Sequence, residues 1–306
     1  MTTTTKRDFL SVTDLTLAEA RDVFARSTKL KAAPKGSHVD LLRGRSVAIV
    51  LEKASTRTRV SFEVGVAQLG AQPVVLGVQG SQLGRGEPIR DTARVLARYC
   101  DAIVYRTSAT SRLTEMAEAS VPVVNALSDD GHPVQILCDI FTIEEHLGSI
   151  QGKRLAFVGD CSSNMARSFL EAAPLFDFHL VLASPEGYRP PKDEIARAGR
   201  HVTLTSDPRE ALAGVDVVNT DVWTSMGQET ENAARLKAFA GWTVDDALLA
   251  KAPAHAIVLH CLPAHRGEEI DDRTIEGPRS RVWDQAENRL HVQKGLLCWL
   301  LGVAPR

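Results

Sequence analysis

No apolar run in this chain approaches the roughly 20 residues needed to cross a bilayer. Its threonine-rich start also lacks the apolar core of a secretory signal. A membrane-bound or exported protein is therefore not expected, and a cytoplasmic one is. There is no basic tract either: 36 lysines and arginines stand against 38 acidic residues, a formal net charge of −2. Nucleic acid and anionic membranes are poor partners for that balance, which points to a small ligand. The five cysteines, Cys100, Cys138, Cys161, Cys261 and Cys298, form no C-x-x-C pair. Neither a disulfide framework nor a zinc knuckle is indicated, and reduced thiols fit a cytoplasmic setting. Gly159-Asp160-Cys161-Ser162-Ser163-Asn164 occupies the place of a dinucleotide-binding turn but lacks its G-x-G-x-x-G glycines, which disfavours a nicotinamide cofactor. A Walker pattern is absent, and His132, His260 and His265 show no recognised metal-ligand spacing. No metal and no organic cofactor are expected.

The chain does have length and rhythm. Its 306 residues, 44% hydrophobic and 24% charged, are enough for two globular domains. Short β-rich runs at Ser46–Leu51, Pro73–Leu76, Ala102–Tyr105 and Val121–Val124 alternate with helical patterns at Thr56–Leu69, Arg90–Tyr99 and Arg112–Ala119. After the amphipathic stretch Pro133–Leu147 the rhythm restarts, with strands at Arg154–Val158, His179–Leu182, Val202–Thr205, Val215–Val218 and Ile257–Leu259. This alternation predicts an α/β protein of two doubly wound parallel-sheet domains linked by helices near Gly148–Gly152. The last apolar-periodic segment, Gln285–Leu301, predicts a helix long enough to pack back on the first domain.

The richest polar motif is Ser55-Thr56-Arg57-Thr58-Arg59, which follows a strand and opens a helix. Val60, Val64 and Ala67, with Phe62, Val66 and Leu69, predict that helix's buried face, and Gly70 its stop. Free N–H groups, the positive dipole end, hydroxyls and a guanidinium fork together suit a phosphate. The alternative is an ordinary N-capped helix with solvated arginines. Arg59 also stands at i,i+4 spacing to Glu63, which favours an ion pair over a ligand role. Other polar residues sit at strand ends, where open α/β sheets bind ligands: Arg106, His132-Pro133-Val134-Gln135, Asp221, and His260-Cys261-Leu262-Pro263. Taken singly, each has a plainer reading: a surface charge for Arg106, a loop end for His132, a solvated helix residue for Arg289, an inert thiol for Cys261, and core fillers for Met226 and Trp223.

Taken in order with Asp221-Val222-Trp223-Thr224-Ser225-Met226-Gly227 and Glu287-Asn288-Arg289, these motifs resemble the ornithine carbamoyltransferases over essentially the whole chain. The resemblance implies attack of ornithine's uncharged δ-amine on carbamoyl phosphate, giving citrulline and phosphate, in the direction of arginine synthesis. It implies a carbamoyl-phosphate-binding domain over residues 1–147, completed by a C-terminal helix at 285–306, and an ornithine-binding domain over 148–284. Ser55, Thr56, Arg57 and Thr58 would hold the phosphate, with Arg106 nearby. Arg106, His132 and Thr58 would face the carbonyl oxygen, Gln135 would bind the carbamoyl amide, and Arg289 with the backbone of Cys261 and Leu262 would complete that half. Asn164, Asp221, Ser225 and Met226 would hold ornithine, and Cys261 with Asp221 would assist proton transfer. The same resemblance implies a homotrimer whose Gly80–Glu87 loop would bring Gln82 to a neighbouring subunit's site, although Arg85-Gly86 stands where many such enzymes carry His-Lys. Two other classes stay open: a carbamoyltransferase for aspartate, N-acetylornithine or putrescine, and a non-catalytic binding protein of the same fold.

Overall fold

A computed structural model describes residues 6–34, 36–78, 81–224 and 229–305. The chain divides into two compact units, the first comprising Met1–Leu137 with Asn288–Arg306 and the second Cys138–Glu287. The elements begin with α1 (Leu17–Ala32), β1 (Ser46–Leu51), α2 (Thr56–Gln68), β2 (Gln72–Gly77), α3 (Ile89–Tyr99), β3 (Ala102–Arg106), α4 (Thr110–Met116), β4 (Val123–Leu127) and α5 (Pro133–Leu147), whose first turn belongs to the first unit and the rest to the second. Then follow β5 (Arg154–Val158), α6 (Asn164–Phe176), β6 (His179–Ala183), α7 (Lys192–Ala198), β7 (Val202–Thr205), α8 (Pro208–Ala211) and β8 (Val217–Thr220). The last are α9 (Asn232–Ala238), α10 (Asp246–Leu249), β9 (Ile257–His260), α11 (Asp272–Ile275) and α12 (Val282–Leu300).

In the first unit a parallel sheet runs in the order β2-β1-β3-β4. Strands β1 and β3 are buried almost throughout, which requires apolar side chains on both faces and explains why neither alternates. The chain leaves β1 for β2 on one side and returns as β3 on the other, so the connections diverge between the carboxyl ends of β1 and β3. Such a divergence opens a crevice where ligands bind in open α/β sheets. The second unit repeats the arrangement as a parallel sheet β7-β6-β5-β8-β9, with its divergence between β5 and β8. Its core includes Trp223 stacked on Phe239 at 5.2 Å between centroids, the filler role expected of Trp223. From Asn288 onward α12 belongs to the first unit: Asn288 accepts from Lys31 Nζ at 2.8 Å and Lys294 Nζ donates to Gln68 at 2.9 Å.

The α/β rhythm is present, with shifts at its edges. Strands β4 and β8 each begin two residues later than their apolar runs, and α12 begins three residues before Gln285. One expectation holds only in part: Phe62, Val66 and Leu69 are buried as expected, but Val60, Val64 and Ala67 are exposed. Helix α2 buries Thr58, Phe62, Gly65 and Val66, with Leu69 just beyond, while Val60 and Val64 are 51% and 40% exposed. Both stripes satisfy the helical period, so spacing alone did not choose between them. The stripe that contains the small residue Gly65 lies against α12, where an added Cβ would come within 3.3 Å of Leu290 and Lys294.

Candidate active site

In the first unit, the carboxyl ends of β1 and β3 bring together residues far apart in sequence. Ser55 is the N-cap of α2, its backbone extended and its Oγ accepting from the Thr58 N–H at 3.3 Å. The capping reading is therefore correct for Ser55, yet it uses only one first-turn donor. The N–H groups of Thr56 and Arg57 have no acceptor within the helix and lie at its positive end. Arg106 and Arg289, both buried, converge on Thr58 Oγ1: Arg106 Nη1 at 3.4 Å and Arg289 Nη2 at 3.0 Å. Arg289 Nη1 also donates to Gln135 Oε1.

His132 and Gln135 come from the start of α5, where Pro133 at the first helical position loses no hydrogen bond and the His132 carbonyl accepts the Ile136 N–H at 3.2 Å. His132 is 4% exposed. Burial, together with the charges of Arg289 and Arg106, holds its pKa well below the ordinary histidine value, so the imidazole is neutral. A neutral imidazole, two guanidinium groups, a hydroxyl and an amide form an electropositive, donor-rich cluster. It suits an anion next to a polarisable carbonyl oxygen.

In the second unit, Asp221 follows β8 and Cys261 follows β9. The Cys261 thiol donates to Asp221 Oδ1 at 3.2 Å, and Asp221 also accepts the Val222 N–H at 2.9 Å. Burial raises the Asp221 carboxyl pKa against the lowering effects of His260, Cys261 and the Val222 N–H. Leu262 adopts a left-handed backbone, φ 60°, uncommon for a bulky residue and costly unless its surroundings impose it. The surroundings here are a buried relay. The Leu262 N–H donates to His260 Nδ1 at 2.9 Å, which leaves Nε2 to donate to Glu269 Oε1 at 3.0 Å, and Glu269 also accepts the His265 N–H at 2.7 Å.

Asp221, His260 and Cys261 bring ligand-type atoms within 4.8 Å of one another, as do His265, Glu268 and Glu269. A metal at the first trio would have to displace a hydrogen bond from His260, whose ring nitrogens are both engaged. At the second, Glu269 is already committed to His260. Asn164 opens α6 beside the N-cap Ser163, whose Oγ accepts from Ala166 at 3.4 Å.

Thr58, Arg106, His132, Gln135 and Arg289 thus form one cluster, with Ser55, Thr56 and Arg57 at its helix end; Asp221, Cys261 and Leu262 form another. Gln82 lies on an exposed turn at Gln82–Arg85. Ser225 and Met226 fall outside the described residues. Arg59 pairs with Glu63 at 3.3 Å, as its spacing predicted. Sequence reasoning missed Glu269, which supports His260. It also missed Arg235, which donates to Asp160 at 2.6 Å and to the Trp223 carbonyl at 2.8 Å and so ties the β5 turn to the segment entering residue 225. Local contacts, Glu269 with the His265 N–H and Arg235 with Glu231, gave no sign of these roles, because His260 lies nine residues from Glu269 and Asp160 lies 75 from Arg235.

Comparison with known proteins identifies the family of both units. Residues 7–145 match the family model described as aspartate/ornithine carbamoyltransferase, carbamoyl-P binding domain, and residues 151–300 the one described as aspartate/ornithine carbamoyltransferase, Asp/Orn binding domain. The chain belongs to the aspartate/ornithine carbamoyltransferase family. Within that family it is 72% identical to an ornithine carbamoyltransferase of Sorangium cellulosum, over 97% of this chain and 98% of that one. It is 51% identical to the anabolic ornithine carbamoyltransferase of Pseudomonas aeruginosa, over 95% of this chain and 96% of that protein. Among solved structures, the ornithine carbamoyltransferase of Pyrococcus furiosus superposes with a TM-score of 0.90 at 42% identity, covering 97% of each chain. That of Burkholderia thailandensis gives 0.89 at 43% identity, covering 96% of this chain and 98% of that one.

Proposed function

We propose that this carbamoyltransferase moves the carbamoyl group of carbamoyl phosphate to the δ-amine of L-ornithine, giving L-citrulline and phosphate, in the direction of arginine synthesis. The relatives named ornithine carbamoyltransferase, one of them anabolic, support the acceptor and the direction. The observation that carries the chemistry is the convergence of Arg106 and Arg289 on Thr58 within a cluster that includes a neutral His132.

In this reading the first unit binds carbamoyl phosphate. Ser55, Thr56, Arg57 and Thr58 hold the phosphate at the α2 N-terminus, and Arg106 bridges phosphate and carbonyl. As the amine attacks, charge moves onto the carbonyl oxygen, and Arg106, His132 and Thr58 donate to it more strongly in the transition state than in the substrate. Gln135 accepts from the carbamoyl amide, and Arg289, which donates to Gln135, completes the half-site. The tetrahedral intermediate then expels phosphate, with no covalent enzyme intermediate.

The second unit holds ornithine. Asp221 takes the α-ammonium, Asn164 and Met226 the carboxylate, and Ser225 adds a hydroxyl. An alkyl ammonium has a pKa near 10.4, so its reactive neutral form is scarce at pH 7 unless the site lowers that value or takes the proton. The Cys261–Asp221 pair serves that transfer. The protein works as a cytoplasmic homotrimer in which Gln82 reaches a neighbouring subunit's carbamoyl phosphate; among the described residues no helix is long and apolar enough to cross a membrane.

Initial rates of ureido-product formation with carbamoyl phosphate and ornithine, N-acetylornithine, putrescine or aspartate test the reading. Ornithine should exceed the others by at least two orders of magnitude. Preference for another acceptor would keep the first unit's assignments and overturn the second's, and binding without turnover would make the chain a non-catalytic member of the fold.

A further inference from the structure

A second polar node stands at the end of β1, outside the residues assigned to substrate. Glu52 is the first residue past β1 and lies three residues before the α2 cap, Ser55. Its side chain is 9% exposed and is ringed by donors. Tyr105 Oη and Thr107 Oγ1 each donate to it at 2.6 Å, and Arg112 Nε sits 2.9 and 3.0 Å from its two oxygens in a forked contact. Burial alone would push the Glu52 carboxyl up, but Arg112, Thr107 and Tyr105 outweigh it and keep the group below its ordinary value, hence ionised.

The arrangement follows from strand geometry. Successive side chains of a strand point to opposite faces. Tyr105 and Thr107 therefore share the face that meets Glu52, and Arg106 between them is turned to the other face, where it reaches Thr58. The Glu52 N–H also donates to the Arg106 carbonyl at 2.9 Å. The pairing of β3 with β4 shifts register between Tyr105 and Arg106, the kind of irregularity that re-aims a side chain but leaves the ladder there weaker. Glu52 braces that point from the β1 side. The Glu52 carboxylate thus ties Tyr105 and Thr107, the residues on either side of Arg106, the Glu52 N–H holds the Arg106 carbonyl, and Glu52 sits on the segment that delivers Ser55 and Thr58.

We infer that Glu52 is a positioning residue for carbamoyl phosphate: with Tyr105, Thr107 and Arg112 it fixes Arg106 relative to the α2 N-terminus. This rests on the reading that Arg106 and residues 55–58 hold carbamoyl phosphate. A glutamine at this place keeps the shape but offers one acceptor oxygen where the carboxylate offers two, and it sets an NH2 group against donors. Arg106 then loses its brace.

The test is steady-state kinetics of the full-length enzyme with each substrate varied in turn, alongside thermal melts. For Glu52→Gln the expected result is a rise of 10- to 100-fold in the KM for carbamoyl phosphate, with the KM for ornithine within twofold of wild type. A merely structural role would lower the melting temperature and leave both KM values in place, and that outcome overturns the inference. Combining Glu52→Gln with Arg112→Leu should raise the carbamoyl phosphate KM no further than the more damaging single change; multiplicative effects would mean the two do not act through one node and would also overturn it. If Glu52→Gln does not fold, Tyr105→Phe and Thr107→Val each remove a single donor and should raise the same KM by 3- to 10-fold, whereas unchanged values in both refute the proposal. Arg106→Ala is the control on the underlying reading. Loss of carbamoyl phosphate binding there, with normal kinetics in Glu52→Gln, would sink the positioning role alone, while retained binding in Arg106→Ala would sink the site assignment.

Discussion

His132 shows how charge placement sets chemistry at a single side chain. Its pKa is depressed by burial and by the guanidinium groups of Arg289 and Arg106, so it works as a neutral hydrogen-bonding group, not as a cation. Histidine 15N chemical shifts should accordingly show no titration of His132 between pH 6 and 8. The same depression links to stability. Below about 6.5 the unfolded chain takes up a proton that the native imidazole refuses, so this contribution is full above that pH and declines as pH falls toward the folded value. Chemical denaturation from pH 7 to 5 should show a shallower acid loss in His132→Asn than in the parent. Catalytically, His132→Ala should lower kcat by 10²- to 10³-fold, about 3–4 kcal/mol of barrier, the loss typical of removing one oxyanion donor. At Cys261 the expectation concerns proton transfer. Cys261→Ser should lower the rate and displace the pH–rate profile; full activity with an unchanged profile would remove Cys261 and its contact to Asp221 from the proton path.

Helix α12 carries Arg289 to its partners by packing closely on α1. At Gly295 an added Cβ would collide with Ser27 Oγ and lie 2.8 Å from the Val23 carbonyl, closer than real Cβ atoms come. Gly295→Ala should therefore destabilise by about 1–3 kcal/mol through overpacking. At roughly 2–4 °C per kcal/mol, calorimetry should register a melting temperature several degrees lower. The start of α1 gives an electrostatic counterpart. Glu19 closes a capping box with Thr16 and accepts from Arg7 at 2.8 Å, and Arg7 with the Thr16 N–H lowers its carboxyl pKa to about 2. A depressed carboxylate stabilises above the unfolded value of about 4.5 and loses that effect as pH falls through about 2. Urea midpoints of Glu19→Gln should therefore lie below the parent's at pH 7 and converge with them near pH 2.

Assembly and site sharing belong to the whole protein. If Gln82 completes a neighbouring subunit's site, the mass in solution should be close to three times 33.2 kDa. Mixing inactive Gln82→Ala and His132→Ala subunits, then dissociating and reassembling them, should restore activity, because some interfaces would pair an intact His132 with an intact Gln82. A monomer, or no recovery in the mixture, would confine the site to one chain.

The composition and period of the chain already determined a great deal. Apolar runs of strand length separated by helical patterns leave a parallel α/β sheet as the way to bury both strand faces, and that rhythm is legible because it is local. Motifs at strand ends were legible for the same reason: Ser55 to Thr58, Arg106, His132 and Gln135, Asp221 and Cys261 each follow an apolar run. Tertiary structure decided what those residues touch. The periodicity of α2 admitted two buried stripes, and only packing against α12 selected the one with Phe62 and Gly65 and left Val60 and Val64 exposed. Arg289 reaches Gln135 and Thr58 across more than 150 residues, and Glu52 meets Arg112 across 60. Glu269 supports Leu262 only through a turn that brings it back under His260. Hydrogen bonds of that span depend on the close approach of separate elements in three dimensions, to which no periodicity along the chain refers.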